Sequence, residues 1–488
     1  MKTDLCIVGG GTAGYVAALV LKTKYPHLNI NLIKSDKIGI VGVGEGSTPH
    51  WDNFIRTVGI TADEIIRECG VTFKTSIYFK NWGYKDYNHS VDNSIMKDYF
   101  NTKIKLLYKF YNNYHPKQIG PVEHLAKQLN SESRKPVNQF HFDTFKLNAF
   151  LKKKSEERGV KVIDDEITEV HTGEHGIHSI KGKVLYHSNF WVDATGFKKL
   201  LISKLNSKWV GVDPWLTLNT AITYHTHKDE VPDLWTEAHA LSAGWKFKIP
   251  LQERQGNGYI FDSNYLSEDA AMEEINNVEL AAKDKLKTIR FTAGYLEETW
   301  KGNCFAIGLT GSFFEPLEAT SIATSVQQSF MLATNLINYD QVVIDRYNKQ
   351  FTKLVENIRD FLILHYRTKR TDTKFWKDKA SMDIPDSLAA KLEIAKRRLL
   401  TKDDFDDGHY ALWRDQHYAI VMYGIGMLDQ DMVRLHYEAL PETIKKQLFF
   451  EKNDEVDQQF AVQYINHDKW LQQVREGHRV VDEQKNSN

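Results

Sequence analysis

Residues 5–8 form an apolar run that stops at three consecutive glycines, Gly9, Gly10 and Gly11. A run that short, closed by turn residues, predicts a buried strand. Residues 13–21 then carry apolar side chains at helical spacing, and residues 29–33 read as a second strand. Strand, glycine turn, helix and strand open a doubly wound (Rossmann-like) α/β domain. Residues 145–158 are helical in pattern, and 160–163 and 189–192 return to strand. In mid-chain, strand signals recur at 221–224, 245–249 and 259–261, with Gly256, Asn257 and Gly258 read as turn residues between them. They predict a mostly antiparallel β-sheet beside the first domain. Residues 304–308 are strand-like and 324–337 helical. From there the pattern stays largely helical down to a polar tail at 482–488, expected to fray.

One stretch breaks the rhythm. Residues 83–138 are rich in Lys, Asn and Tyr and read as an insertion. The expected organisation is a core over residues 1–376, with an inserted sheet region at about 209–300 and the insertion at about 83–138. A helical C-terminal region follows at 377–488 and is expected to build or cover a substrate pocket.

Composition narrows the function classes. The chain has 488 residues, 42% hydrophobic and 26% charged, ordinary values for a globular protein large enough to enclose a cofactor. A net charge of −1 supplies no global field for nucleic acid or an anionic membrane. The three cysteines, Cys6, Cys69 and Cys304, are odd in number and far apart, which argues against a disulfide framework and for a reducing compartment, the cytoplasm. No signal-like segment and no run of 18 apolar residues is present, so no membrane span is expected.

The chemistry begins at Gly9-Gly10-Gly11-Thr12-Ala13-Gly14. Glycines allow the tight turn and the close approach of a pyrophosphate, and the helix that follows presents free N–H groups to the phosphates. Dinucleotide binding is therefore expected at Gly9, Gly11, Thr12, Ala13 and Gly14. The acidic residue common at the end of the second strand is missing: Lys34 stands there, with Asp36 or a backbone group left to meet the ribose. Lys74 sits in Gly70-Val71-Thr72-Phe73-Lys74-Thr75-Ser76-Ile77-Tyr78-Phe79, where residues 71–79 alternate as on one strand and an isolated lysine reads first as a solvated surface residue. Glu318, in Glu315-Pro316-Leu317-Glu318, reads first as a carboxylate that complements a helix dipole. Trp245-Lys246-Phe247-Lys248-Ile249-Pro250 reads as a core strand. His225-Thr226-His227 has no third ligand in view, so no metal site is expected.

Taken in order, these segments resemble the flavin-dependent halogenases, the tryptophan-halogenase-like family, from about Asp4 to about Trp376. Asp193-Ala194-Thr195-Gly196, Gly308-Leu309-Thr310-Gly311 and the loop Gly42-Val43-Gly44-Glu45-Gly46-Ser47-Thr48-Pro49 match its flavin-contacting turns. Trp245 and Phe247 match its Trp-x-Trp-x-Ile-Pro segment, with Phe247 replacing the second Trp. The match continues through Arg254–Tyr259, His141–Thr144 and a C-terminal stretch with His365, read as a structural histidine.

The resemblance implies an FADH2-dependent halogenase, an oxidoreductase that takes its reduced FAD from a separate NAD(P)H-dependent flavin reductase. It implies FAD contacts at Gly42, Gly44, Glu45, Gly46, Ser47, Asp193, Gly196, Gly308 and Gly311. It implies a halide site at the backbone of Thr320 and Ser321, and a flavin-shielding wall at Trp245 and Phe247. Lys74 is implied as the catalytic lysine that receives hypohalous acid, and Glu318 as the carboxylate that assists at the arene. The substrate implied is a small electron-rich aromatic of indole or phenol type. Ser321 replaces a common family glycine, so bromide or iodide is expected to be used better than chloride. The rival reading is an FAD-dependent aromatic monooxygenase; a degenerate flavoprotein that only binds is a third. Whether the chain forms a homo-oligomer is left open by the pattern.

Overall fold

A computed structural model gives the fold and describes residues 2–40, 42–89, 99–113, 139–230, 232–278, 287–405, 411–452 and 467–477. Most of the 83–138 insertion, at 90–98 and 114–138, and the tail from 478 lie outside the described residues.

Strand Lys2–Val8 is central in an eight-stranded sheet. It pairs in parallel with Ile30–Lys34 and Leu185–Asp193, which pair in parallel with Lys161–Asp164 and Cys304–Ala306. Leu5, Cys6, Ile7 and Val8 are all buried, because helices cover both faces of such a sheet. Helix Thr12–Lys24 runs back over it and packs against helices Thr144–Glu157 and Thr320–Asn335. The strand expected at 189–192 runs longer, as Leu185–Asp193, because its first half pairs with the hairpin Glu169–Gly173 and Gly176–Lys181. That hairpin is polar and largely exposed on its outer strand, so it left no apolar signal in the sequence.

The second sheet has seven strands in the order Lys287–Arg290, Thr220–His227, Arg254–Phe261, Gly244–Pro250, Trp235–Leu241, Ser76–Lys80, Tyr87–His89. Every pair is antiparallel except Trp235–Leu241 with Ser76–Lys80, which is parallel. Gly256, Asn257 and Gly258 are not a turn, as expected, but lie inside strand Arg254–Phe261. They mark close approach rather than chain reversal. A Cβ at Gly256 would stand 2.6 Å from the Val43 carbonyl oxygen, and one at Gly258 would stand 2.5 Å from the Phe247 ring.

A small third sheet joins Glu45–Gly46, Phe140–Phe142 and Thr72–Phe73. It corrects the reading of residues 71–79 as one strand. Thr72–Phe73 belongs to this sheet and Ser76–Lys80 to the seven-stranded one. Lys74 and Thr75 lie at the crossing, where their N–H groups donate to the carbonyls of Gln139 (3.1 Å) and Leu234 (2.7 Å).

The 26-residue helix Gln341–Tyr366 closes the core from the C-terminal side. Its last turns, from Asn357 to Tyr366, are buried all round. Helix Asp415–Gly424 packs on it and on strand Tyr87–His89. Among the described residues no helix is long and apolar enough to cross a membrane.

The Gly256 contact yields a test. Gly256→Ala should push the Val43 loop off the sheet and lower stability by about 1–3 kcal/mol, the usual range for overpacking. Denaturant unfolding checks this, and a variant as stable as the parent would show that the loop has room to give.

Candidate active site

A cavity of about 840 Å³ joins the two sheets. Its walls include the Gly9–Ala13 turn from the parallel sheet, the Gly42–Gly46 loop, and Lys74, Trp245 and Phe247 from the antiparallel one. The Gly9 turn is built for an anionic ligand. Gly9 has φ of 120°, and a Cβ there would meet the Ala194 carbonyl oxygen at 2.1 Å. A Cβ at Gly14 would meet the Gly9 carbonyl oxygen at 2.2 Å, so this glycine lets helix and strand approach. At Gly11 an added Cβ would meet nothing within 4 Å. Gly11 also caps helix Thr12–Lys24, and it has no side chain to occupy any N–H group of the first turn. Lys34 and Asp36 pair with each other at the rim, and the Asp36 N–H donates to Asp164. Shape and donors therefore fit FAD.

The other expected flavin residues divide into two groups. Gly42, Gly44, Glu45, Gly46, Gly196 and Gly308 line the cavity. Ser47, Asp193, Gly311 and Gly14 stand behind its wall. Asp193 shows why: its carboxylate is fully buried and accepts from Thr195 N, Thr195 Oγ1, Leu201 N and Ile202 N at 2.6–3.1 Å. It folds the turn that carries Ala194, Thr195 and Gly196 to the cavity. Gly311 lies against Gln328 and Ala306.

The Gly42–Ser47 loop is a strap pinned at both ends. Arg254 Nη1 donates to the Val43 carbonyl at 2.7 Å and its guanidinium pairs with Asp143. At the other end the Lys74 amine donates to the Ser47 carbonyl at 2.9 Å. A Cβ at Gly46 would stand 3.1 Å from that amine nitrogen. Burial lifts the Glu45 carboxyl to about 7. Lys74 is not the surface lysine its isolation suggests: it is 1% exposed. Burial lowers its pKa to about 8, and the nearby Glu318 charge only partly opposes this.

Glu318 is equally buried and sits in a left-handed backbone, φ 69° and ψ 11°, followed by Ala319 at φ 55°. Two successive non-glycine residues in that region cost on the order of 1–3 kcal/mol each and mark functional sites. The kink aims the side chain at His89, whose Nδ1 lies 2.7 and 2.8 Å from the two carboxylate oxygens, and at His365, whose Nε2 lies 3.1 Å from Oε1. Burial alone would raise its pKa, but the two histidines outweigh that and hold it well below the usual carboxylate range. His365, expected to be merely structural, is thus a partner of Glu318. His89 and the His417 ring behind it carried no signal in the sequence, since neither belongs to a motif.

The same kink starts helix Thr320–Asn335, whose N-cap Ala319 offers no side-chain acceptor. Ser321 lines the cavity; Thr320 is buried behind it. Trp245 is held by a residue that also went unnoticed. Its indole Nε1 donates to Glu315 Oε2 at 3.1 Å, and Tyr366 Oη donates to the same oxygen at 2.6 Å. Phe247 packs beside Trp245 with ring centroids 6.1 Å apart, so the pair forms a continuous apolar wall.

Comparison with known proteins decides the family. The tryptophan halogenase family model matches residues 4–441. This chain belongs to the tryptophan halogenase family. Tryptophan 7-halogenase RebH of Lentzea aerocolonigenes is 28% identical over 475 residues, covering 87% of this chain and 89% of that one. Tryptophan 6-halogenase ThaL of Streptomyces albogriseolus is 28% identical over 477 residues, covering 87% and 90%. Among solved structures, Xcc4156, a flavin-dependent halogenase from Xanthomonas campestris, superposes with a TM-score of 0.83 at 28% identity over 97% of this chain and 98% of that one. The tryptophan 6-halogenase SttH from Streptomyces toxytricini reaches 0.86 at 26% identity over 96% and 99%. The chain is accordingly a flavin-dependent halogenase, an enzyme that uses FADH2 supplied by a separate flavin reductase together with a halide.

The buried amine makes a stability prediction. In the unfolded chain Lys74 holds its proton up to about pH 10.5, while in the folded state it loses it near 8. Its cost is therefore fully present below pH 8 and fades as pH rises to 10.5. Lys74→Met should stabilise the protein at pH 7 by up to about 3 kcal/mol, and the advantage should vanish near pH 10.5. Unfolding curves at the two pH values check it; a gap that does not narrow with pH would place the amine in water.

Proposed function

We propose that this halogenase transfers halogen to a small electron-rich arene, an indole or a phenol, with Lys74 as the halogen carrier and Glu318 as the acceptor of the ring proton. The observation that carries this reading is the pairing of a buried amine of lowered pKa and a buried, ionised carboxylate on one cavity with the dinucleotide turn. Bound FADH2 supplies, with O2, the oxidising power that converts halide into hypohalous acid. The chain's own residues do the rest. Ser321, with the helix N-terminus behind it, holds the halide. Trp245 and Phe247 keep the arene from the flavin. Gly9, Gly11, Thr12 and Ala13 hold the pyrophosphate, and Gly44 to Gly46 strap the ring system.

The neutral Lys74 amine attacks the halogen of hypohalous acid, forming an N–X bond and releasing water. A ring carbon then takes the halogen as the N–X bond breaks. The ring proton passes to the Glu318 carboxylate as aromaticity returns, and Glu318 hands it on to the lysine nitrogen, so carboxylate and amine are both regenerated. Helix Asp415–Gly424, in the helical C-terminal region, helps to cover the arene. The enzyme works in the cytoplasm, where its three buried cysteines stay thiols. Bromide and iodide are used better than chloride, because they are easier to oxidise and to dehydrate.

Three measurements test the reading. Lys74→Ala should abolish product while FAD still binds, and Glu318→Gln should cost about 10²–10⁴ in rate with the fold intact; product from either variant at the parent rate would remove that residue from the chemistry. The halogenation rate should rise with pH through about 8, as the Lys74 amine loses its proton; a rate that falls there would mean the ammonium is the working form. Products made from phenols and indoles with equal chloride, bromide and iodide, read by mass, decide the halide. A gain of oxygen alone would favour the hydroxylase.

A further inference from the structure

Glu318 is one link in a buried chain drawn from four distant parts of the sequence. The chain runs from the Phe361 carbonyl to His365 Nδ1 (2.9 Å), from His365 Nε2 to Glu318 (3.1 Å), from Glu318 to His89 Nδ1 (2.7 Å), and from His89 Nε2 to His417 Nδ1 (2.9 Å). All four side chains are at most 1% exposed. Each contact is direct, so the protons it holds can be counted.

Each of the four contacts is at hydrogen-bond distance and needs one proton between its heavy atoms. The Phe361 carbonyl only accepts, so His365 Nδ1 carries a hydrogen. That leaves the lone pair of His365 Nε2 facing a carboxylate unless a second proton lies between them. Three neutral imidazoles and a carboxylate bring three protons; the contacts need four. The group therefore holds one extra proton, shared by His365 and Glu318, and is electrically neutral as a whole. His89 donates through Nδ1, so its Nε2 must accept, and His417 must donate from Nδ1. This leaves His417 Nε2 bare, and that atom is buried with no hydrogen-bond partner among the described residues. A fifth proton there would add a net buried charge and an N–H with no acceptor, both costly. Burial holds His417 neutral, with its pKa well below the ordinary value.

Resting on the halogenase reading, we propose that His89 and His417 are positioning residues for Glu318: His89 grips both carboxylate oxygens, and His417 fixes the tautomer of His89 that can do so. His365 is the counter-ion that keeps the carboxylate ionised in a dry pocket. The other titratable groups acting on this chain are Lys74 and Tyr87 at Glu318, and His50 and Arg414 at His417.

The test uses the full-length enzyme with bromide, a flavin reductase, and indole and phenol as probes. His417→Leu should lower kcat about 10–100-fold, the loss typical when a residue acting through another is removed. KM for the arene should not change, and the pH profile should move. His417→Asn, whose amide still donates to His89 Nε2, should recover most of the rate. Unchanged kcat in His417→Leu, or no recovery in His417→Asn when both bind FAD and unfold like the parent, would overturn the proposal. The resting enzyme gives a second measurement. With 15N-labelled histidine at pH 7, His365 should show both ring nitrogens protonated, and one N–H should bridge His89 and His417 and disappear in His417→Leu. A singly protonated His365 would refute the proton count. If the parent halogenates neither probe, the functional reading fails, while the spectra still decide the count.

Discussion

The Lys74 amine has one partner in the described structure, the Ser47 carbonyl, and that single hydrogen bond ties the Gly42–Ser47 strap to a buried amine. An amine taken out of water loses most of its reason to stay charged, and burial takes its pKa down to about 8. Its position follows from a break in a strand. Thr72–Phe73 leaves one sheet, Ser76–Lys80 joins another, and the two residues between are held by backbone bonds to Gln139 and Leu234. Lys74 therefore cannot swing to solvent without unpairing two sheets. The strap and the amine are close neighbours: a Cβ at Gly46 would stand 3.1 Å from the amine nitrogen.

Glu318 solves the opposite problem. A carboxylate in the same dry region would take up a proton if nothing held it ionised. Here a strained backbone turns it toward two imidazoles, so burial and pairing are set against each other and pairing wins. Glu315, three residues earlier, lies on the same turn and meets a different fate. Its neighbours are the neutral donors Trp245 and Tyr366, and burial raises its pKa. Two glutamates in one short segment thus end in different protonation regimes because their partners differ in charge. One lies ionised on the cavity; the other holds the Trp245 side of its wall.

Much of this was legible in the chain. The glycine turn after residues 5–8, the doubly wound start, the antiparallel mid-chain sheet and the helical C-terminal half follow from short-range periodicity, which is a local property. The glycine strap, Lys74 and Glu318 were legible as an ordered set matching a family, not from any one of them. What sequence could not separate was a glycine that turns the chain from one that lets another segment approach. Gly256 and Gly258 look like a turn and lie inside a strand, because the obstacle that requires glycine is Val43 or the Phe247 ring. The exposed hairpin at 169–181 was missed for the reverse reason: a strand with little to bury writes no pattern.

By itself, then, the sequence determined the order of the elements, the glycine turn and which two charged residues, Lys74 and Glu318, stand in the family-matched segments, since these depend on residues close together in the chain. Only the tertiary structure decided their chemistry. Whether Lys74 is an ordinary ammonium or a buried amine depends on walls drawn from other strands. Whether Glu318 is ionised depends on His89 and His365, 229 and 47 residues away. Ionisation in a dry interior is set by what faces a group across space, and no local pattern encodes that.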